Sequence, residues 1–189
     1  MGMINKIKRF FFVSLRIKKY VILSDCKRVS GEPKRHHPLL LKGYGKIYFG
    51  KNVQIGVESS PSFYSHYTYI EARDEMSEII IGDNVVINNA FSIECSSKVV
   101  IENDVLIGVG CSIIDNDGHD LAINTRILGT PKMSPIYICK NVFLGSNVTI
   151  LKGVTIGENS IIGNGSLVTK NIPENVIAAG NPAKVIRNL

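Results

Sequence analysis

The chain has 189 residues, 44% hydrophobic and 20% charged, which suits one sizeable folded domain and excludes a disordered chain. Aromatics are only 7%, Trp is absent and Gly numbers 17, a balance that fits a core of small and β-branched residues better than a helical bundle. The net charge of +6 is uneven: residues 1–42 carry +9 and the remainder −3, and a mildly acidic main body argues against nucleic acid as a partner. Four cysteines (Cys26, Cys95, Cys111 and Cys139) form no CxxC pair, so a zinc ribbon is excluded, and reduced core thiols are expected rather than a disulfide scaffold.

Residues 1–42 form a basic N-terminal segment. Within it, residues 4–23 (INKIKRFFFVSLRIKKYVIL) predict an amphipathic helix with Ile4, Ile7, Phe11, Leu15 and Ile22 near one face. Its longest uncharged run, Phe10 to Leu15, is far short of the ~20 residues of a membrane span. Arg16, Lys18 and Lys19 interrupt what would be the apolar stretch of a signal peptide. Two readings stay open. The apolar face packs on the domain or on a neighbouring subunit, or residues 4–23 make a peripheral contact with an anionic membrane surface. A cytoplasmic protein is expected on either reading, at the inner membrane face on the second.

From residue 43 the chain is organised by a six-residue repeat. Aliphatic residues recur at Ile81, Ile87, Ile93 and Val99, shift phase by two, and continue at Ile101, Ile107 and Ile113. They resume at Ile138, Leu144, Ile150, Ile156, Ile162 and Val168, and Phe49 and Ile55 show the same spacing earlier. Small or polar residues often follow the aliphatic one. Four positions after it stand small or branched residues such as Val85, Val105, Cys111, Val142, Val148 and Val154. A period of six matches neither a 3.6-residue helix face nor hairpin alternation. It predicts an all-β solenoid of short flat strands joined by tight corners, each hexad forming one side of a triangular coil. The aliphatic residues point inward, and stacked coils bury a core that no single repeat could bury alone.

The rhythm lapses for 24 residues between Ile113 and Ile138, over IDNDGHDLAINTRILGTPKMSPIY. This predicts an extended loop, residues 115–137, holding Asp115, Asp117, His119, Asp120 and Arg126. An unpatterned excursion of this length inside a compact domain is usually functional or disordered. Asp115 and Asp117 could equally stabilise the turn by Asx bonding. One histidine with two nearby carboxylates is too little to predict a metal, and none is expected. The chain closes on a C-terminal cap, residues 171–189, ending in GNPAKVIR from Gly180 to Arg187.

Residues 43–189, and above all Ile138–Arg187 (ICKNVFLGSNVTILKGVTIGENSIIGNGSLVTKNIPENVIAAGNPAKVIR), resemble the hexapeptide-repeat acyltransferases. That resemblance implies a left-handed parallel β-helix, the handedness resting on it alone because general rules for parallel crossovers favour the opposite hand. It further implies a homotrimer with active sites between subunits. The implied activity is direct transfer of an acetyl group from acetyl-CoA to a hydroxyl or amine of a sugar, on a surface polysaccharide, lipopolysaccharide or nucleotide-linked sugar. His119 falls where the family's loop carries its general base, and a neutral imidazole suits that task near pH 7. Asp115 or Asp117 would orient the ring or hold the acceptor. Asn88 matches the family's acceptor-contacting Asn, with Asn89 beside it as a competing assignment. Gly108, Gly145 and Ser146 match positions along the pantetheine arm. Phe143 stands where many relatives carry Trp. Thr169, Lys170, Lys184 and Arg187 match the adenine and phosphate end. Competing expectations are an antibiotic-modifying acetyltransferase and a non-catalytic β-helix scaffold. A zinc site of three histidines is rejected, since only His66 and His119 fall in the coil region.

Overall fold

The computed structural model describes residues 3–189, without the side chains of Met3, Asn5 and Lys6. Short strands stack into a triangular prism whose three faces are each a parallel sheet. Face A contains Val29–Ser30, Lys46–Phe49, Glu78–Ile81, Lys98–Ile101, Ile136–Ile138 and Thr155–Ile156. Face B contains Lys34–Arg35, Gln54–Ile55, Val86–Ile87, Leu106–Ile107, Phe143–Leu144 and Ile161–Ile162, and ends on Val176–Gly180 and the antiparallel strand Ala183–Asn188. Face C contains Leu39–Gly43, Thr68–Ala72, Ser92–Cys95, Ser112–Ile114, Thr149–Leu151 and Leu167–Val168.

The hexad series is the core. On face B the register runs Ile55, Ile87, Ile107, Leu144, Ile162, Ala178, each residue over its equivalent in the next coil. On face C it runs Leu41, Ile70, Ile93, Ile113, Ile150, Val168. All of these are buried, as are the corner residues Val85, Val105, Cys111, Val142, Val148 and Val154. The residue before several of these corner positions adopts the left-handed backbone conformation: Asn84, Asp104, Asn141, Asn147 and Gly153 all have positive φ. Asn is the side chain that tolerates this region best after Gly. Here it is also bonded between coils, Asn141 Nδ2 donating to Asn159 Oδ1 and Asn159 Nδ2 to Asn175 Oδ1.

Stacking begins earlier than residue 43. Val29–Ser30 pairs with Ile47–Tyr48, Lys34–Arg35 with Gln54–Ile55, and Leu39–Gly43 with Thr68–Ala72, so residues 29–43 are the first coil. Sequence reasoning set the boundary too late because this coil is short of inward isoleucines. Its core contribution is Leu39 and Leu41, with Val29 partly buried.

A helix precedes the coil, as α-helix Met3–Arg9, a π-helical turn Phe10–Ser14 and α-helix Leu15–Leu23. The apolar stripe does not pack on the chain's own prism: Ile4, Ile7, Phe11, Leu15 and Ile22 are all exposed, and the neighbouring-subunit and membrane readings stay open. Val13 is buried instead, and the π-helical turn resets the angular position of everything after it, which a uniform 3.6-residue wheel misses. The helix is clamped to residues 58–67, an excursion between faces B and C. Arg9 pairs with Glu58, Arg16 donates to the carbonyls of Phe63 and His66, and Tyr20 stacks on Tyr67 with centroids 4.6 Å apart. No described helix is long and apolar enough to cross a membrane.

Under this excursion His37 is fully buried. Its Nε2–H donates to the Ser62 carbonyl at 3.2 Å, while Nδ1 has no partner. Burial pulls the imidazole down to about 4 from 6.5, with Arg16 and His66 pushing the same way and the Ser62 bond opposing. The ring is neutral in the fold, and below pH 6.5 the unfolded chain binds a proton that the native state refuses. Stability contributed by the neutral site is complete above pH 6.5 and is lost as pH falls toward 4. Urea unfolding should show about 2 kcal/mol of this loss between pH 6.5 and 5. A His37→Gln variant should lack that slope; an identical slope would assign it to other groups.

Candidate functional site

Strand ends on face B carry the first group of expected site residues. Asn88 follows Val86–Ile87, Gly108 follows Leu106–Ile107, and Gly145 follows Phe143–Leu144, so the three lie in one column along the corner between faces B and C. Each donates its backbone N–H to the next coil: Asn88 to Ile107, Gly108 to Leu144 and Gly145 to Ile162. Glycine is required at 108 because a Cβ there would sit 2.6 Å from the Gly145 carbonyl carbon, and at 145 because it would meet Asn164 Oδ1 at 2.3 Å. Coil stacking alone therefore accounts for both glycines. Ser146 is half-buried and donates its N–H to Asn164 Oδ1 at 2.8 Å.

The two adjacent asparagines divide their work. Asn89 is fully buried; its Nδ2 donates to the carbonyls of Val57 and Pro61, and its Oδ1 accepts from Val57 N–H. It is the staple that ties residues 57–61 to the coil. Asn88 is only half-buried and donates Nδ2 to Ser60 Oγ at 3.0 Å, an exchangeable hydroxyl contact at the surface. This second excursion was legible as a break in rhythm, since the step from Ile55 to Ile70 is not a multiple of six, yet sequence reasoning passed over it.

His119 lies on the other excursion, which leaves the prism after Ser112–Ile114 and returns at Ile136–Ile138, at the corner between faces C and A. Its base is clasped: Asp117 N–H donates to Lys132 O, Ser134 N–H to Asp115 O, and Asn116 bridges Met133. The last expected loop residues, 136 and 137, belong to the returning strand. His119 is exposed and follows Gly118, whose φ of +71° turns the chain outward. Asp120 caps the next turn, accepting from Ala122 N–H and Thr125 Oγ1. The tip carries four exposed aliphatics: Leu121, Ile123, Ile127 and Leu128, the last 93% exposed.

The two nearby carboxylates separate cleanly. Asp115 is fully buried, and its oxygens accept the N–H groups of Ser96 and Ser97, both at 2.7 Å, in the coil before. Burial, with the Asp115 carboxylate adding to it, pushes the neighbouring Cys95 thiol far up and keeps it protonated. Both Asp115 oxygens are thus engaged with backbone donors of the coil, which is the turn-stabilising arrangement. Asp117 pairs through Oδ1 with Lys152 of the following coil, while its Oδ2 is buried without a partner. Lys152 was not singled out from the sequence.

The remaining expected residues spread along the C-terminal half. Phe143 is 44% exposed on the outer side of face B, in register between Leu106 and Ile161, and forms an apolar wall. Thr169 and Lys170 are exposed after Leu167–Val168, on the same corner as the base of the His119 loop. Lys184 and Arg187 are exposed on the terminal antiparallel strand. Among the described residues Lys170, Lys184 and Arg187 pair with no carboxylate, so all three can serve an anionic ligand. One chain does not bring the groups together, since His119 and Asn88 occupy different corners. A cleft of about 640 Å³ on face A, lined by residues including Arg28, Lys46, Tyr48 and Glu78, contains none of the expected site residues.

Residues 135–170 match the family model described as bacterial transferase hexapeptide (six repeats). A candidate acetyltransferase of Saccharomyces cerevisiae is 42% identical over 129 residues, 68% of this chain and 61% of the relative. The galactoside O-acetyltransferase of Lactococcus lactis is 33% identical over 158 residues, covering 84% of this chain and 70% of that protein. The crystal structure of a hexapeptide-repeat acetyltransferase from Vibrio cholerae, complexed with acetyl coenzyme A, superposes with a TM-score of 0.63 at 27% identity over 75% of this chain and 70% of that one. The chain therefore spans roughly three-fifths to seven-tenths of the length of the proteins it matches, and its prism is their left-handed parallel β-helix.

The division between the two carboxylates is open to measurement. Asp115→Ala strips two buried N–H groups of their acceptor and should cost about 2–4 kcal/mol in urea unfolding. Asp117→Asn should cost under about 1 kcal/mol. An unchanged midpoint for Asp115→Ala would remove its structural role.

Proposed function

Because the chain belongs to the hexapeptide-repeat acetyltransferases, we propose that it transfers the acetyl group of acetyl-CoA to a hydroxyl of a sugar, with His119 as general base. The observation that carries this reading is the placement of His119: exposed and beyond a glycine hinge, on a loop whose base is clasped to the coil while the ring itself is unengaged. A scaffold has no use for such a loop. The likeness to a galactoside O-acetyltransferase favours a sugar hydroxyl over an amine or an antibiotic.

Acetyl-CoA supplies an acetyl thioester, activated toward an oxygen nucleophile. The protein's part is to bind and orient both substrates and to move one proton. Lys170, Lys184 and Arg187 hold the phosphates, and Phe143 lines the apolar stretch beside Gly145 and Ser146. His119 accepts the acceptor's hydroxyl proton as that oxygen bonds to the acetyl carbon. It returns the proton to sulfur as the carbon–sulfur bond breaks, so no acyl-enzyme forms and the imidazole ends neutral. Lys152 fixes Asp117 by one oxygen and leaves Oδ2 free to accept an imidazole N–H, which sets the ring's tautomer. Asn88 contacts the acceptor, exchanging Ser60 for a sugar hydroxyl.

The site is completed by a second copy of the chain. The bare aliphatic tip at Leu121, Ile123, Ile127 and Leu128 is a surface that a neighbouring prism would cover. A closed trimer would carry His119 of one copy to the Asn88 corner of the next.

Free CoA thiol release from acetyl-CoA, measured against simple glycosides, glycans and nucleotide-linked amino sugars, tests the reaction. His119→Ala should lower kcat ~10²–10⁴-fold with little change in KM for acetyl-CoA. Turnover unaffected by His119→Ala would overturn the assignment, and release with an amino sugar alone would make the product an amide. In sedimentation the wild type should run as a trimer. Ile123→Asp with Leu128→Asp should dissociate it and remove activity; a monomer that still transfers acetyl groups would show that one chain suffices.

A further inference from the structure

The N-terminal helix is held to the body by one side only. Arg9, Arg16 and Tyr20 clamp it to residues 58–67, and Val13 is its buried residue. Most of its other apolar side chains face away, Ile17 being partly buried. Ile4, Phe11, Phe12, Leu15 and Ile22 are exposed by 68%, 57%, 59%, 40% and 82%. An apolar surface of this extent is rare on a soluble domain unless something covers it.

The charges say what covers it. No acidic residue occurs before Asp25, while the same stretch carries Lys6, Lys8, Arg9, Arg16, Lys18 and Lys19. The arginines are spent on the clamp. Lys8, Lys18 and Lys19 are exposed, and among the described residues none has a carboxylate partner. A protein partner packed on this surface would meet consecutive exposed phenylalanines, Phe10 to Phe12, spread over a broad arc rather than along a ridge that side chains could interlock with. A fluid apolar layer under an anionic headgroup plane accepts both the broad arc and the unpaired lysines.

We propose that residues 4–23 are an interfacial anchor that lies on an anionic lipid bilayer, with Ile4, Phe11, Leu15 and Ile22 entering the acyl boundary and Lys8, Lys18 and Lys19 at the headgroups. The inference is independent of the acetyl-transfer reading. The two share one geometric link: the clamp loop also carries Ser60, the partner of Asn88, so docking would bring the acceptor corner's own loop close to the lipid surface.

The full-length protein should be sedimented with vesicles of phosphatidylcholine alone and with phosphatidylglycerol added at about a 7:3 ratio. The expected result is binding to the anionic vesicles that weakens with added salt, and at least about tenfold less binding to the neutral ones. Lys18→Gln with Lys19→Gln should reduce anionic binding by roughly tenfold or more. Phe11→Glu with Ile22→Glu should abolish it, and neither pair should change the circular dichroism melt, since all four side chains are exposed and the contacts of Lys19 and Phe11 are with the adjacent rings of Tyr20 and Phe10 on the same helix. Failure of the wild type to bind anionic vesicles overturns the proposal, as does equal binding by the Phe11→Glu, Ile22→Glu protein. A smaller sedimentation mass for that variant in lipid-free buffer would identify the occupant as a second copy and overturn it equally.

Discussion

Register between coils is the constraint on which the rest of this structure depends. A parallel prism of strands two to five residues long has little helix or hairpin structure to hold it, and each coil is defined only by lying on the next. Inward aliphatics must therefore fall one above another on every turn. That is possible only if every corner, whatever its length, returns the chain to the next face in register. Left-handed backbone at Asn84, Asn141, Asn147 and their equivalents performs the turn, and the Asn141–Asn159–Asn175 amide ladder ties successive corners. An alanine there would face about 1–2 kcal/mol of backbone strain as well as lost bonds between coils. Aliphatic burial supplies the stabilisation, while the corners determine which arrangement it stabilises.

The same constraint dictates where chemistry can be placed. Strands are paired above and below, so an insertion within one would shift every stacked residue beyond it. Only corners can expand, and both excursions are at corners: residues 58–67 between faces B and C, and the His119 loop between faces C and A. Each is stapled by a buried side chain, Asn89 under the first and Asp115 under the second. These staples let a loop leave the prism without disturbing the coil beneath it. They also explain why the groups of the proposed site sit on separate corners of one chain, and why assembly is the economical way to join them.

The periodicity made the core legible residue by residue, because inward burial of a side chain every six positions leaves a direct imprint on composition. Site residues left a weaker imprint. Asp115 and Asp117 look equivalent as letters, yet Ile113 points in and Ile114 out, so simple alternation already turns Asp115 toward the interior. The first coil was missed because Leu39 and Leu41 do its work without the isoleucine rhythm. Lys152 was invisible for a different reason. Its importance comes from a partner 35 positions away, a proximity that follows from how far the loop is displaced rather than from any local pattern.

The charge distribution shows how one sequence serves two environments. The prism carries a slight excess of acid, and several of its carboxylates are matched locally, as where Arg73 joins Glu71 and Glu94 across neighbouring coils. Among the described residues, the cations nearest its C-terminal end, Lys170, Lys184 and Arg187, pair with no carboxylate and are available to the anionic donor of the proposed reaction. The N-terminal segment follows the opposite rule. In its helix Arg9 and Arg16, whose planar forks suit fixed carbonyl and carboxylate acceptors, make the clamp, while Lys8, Lys18 and Lys19 are exposed. That division is what an anchor requires: rigid donors toward the protein, and mobile point charges on long apolar stems toward a surface whose anions have no fixed positions.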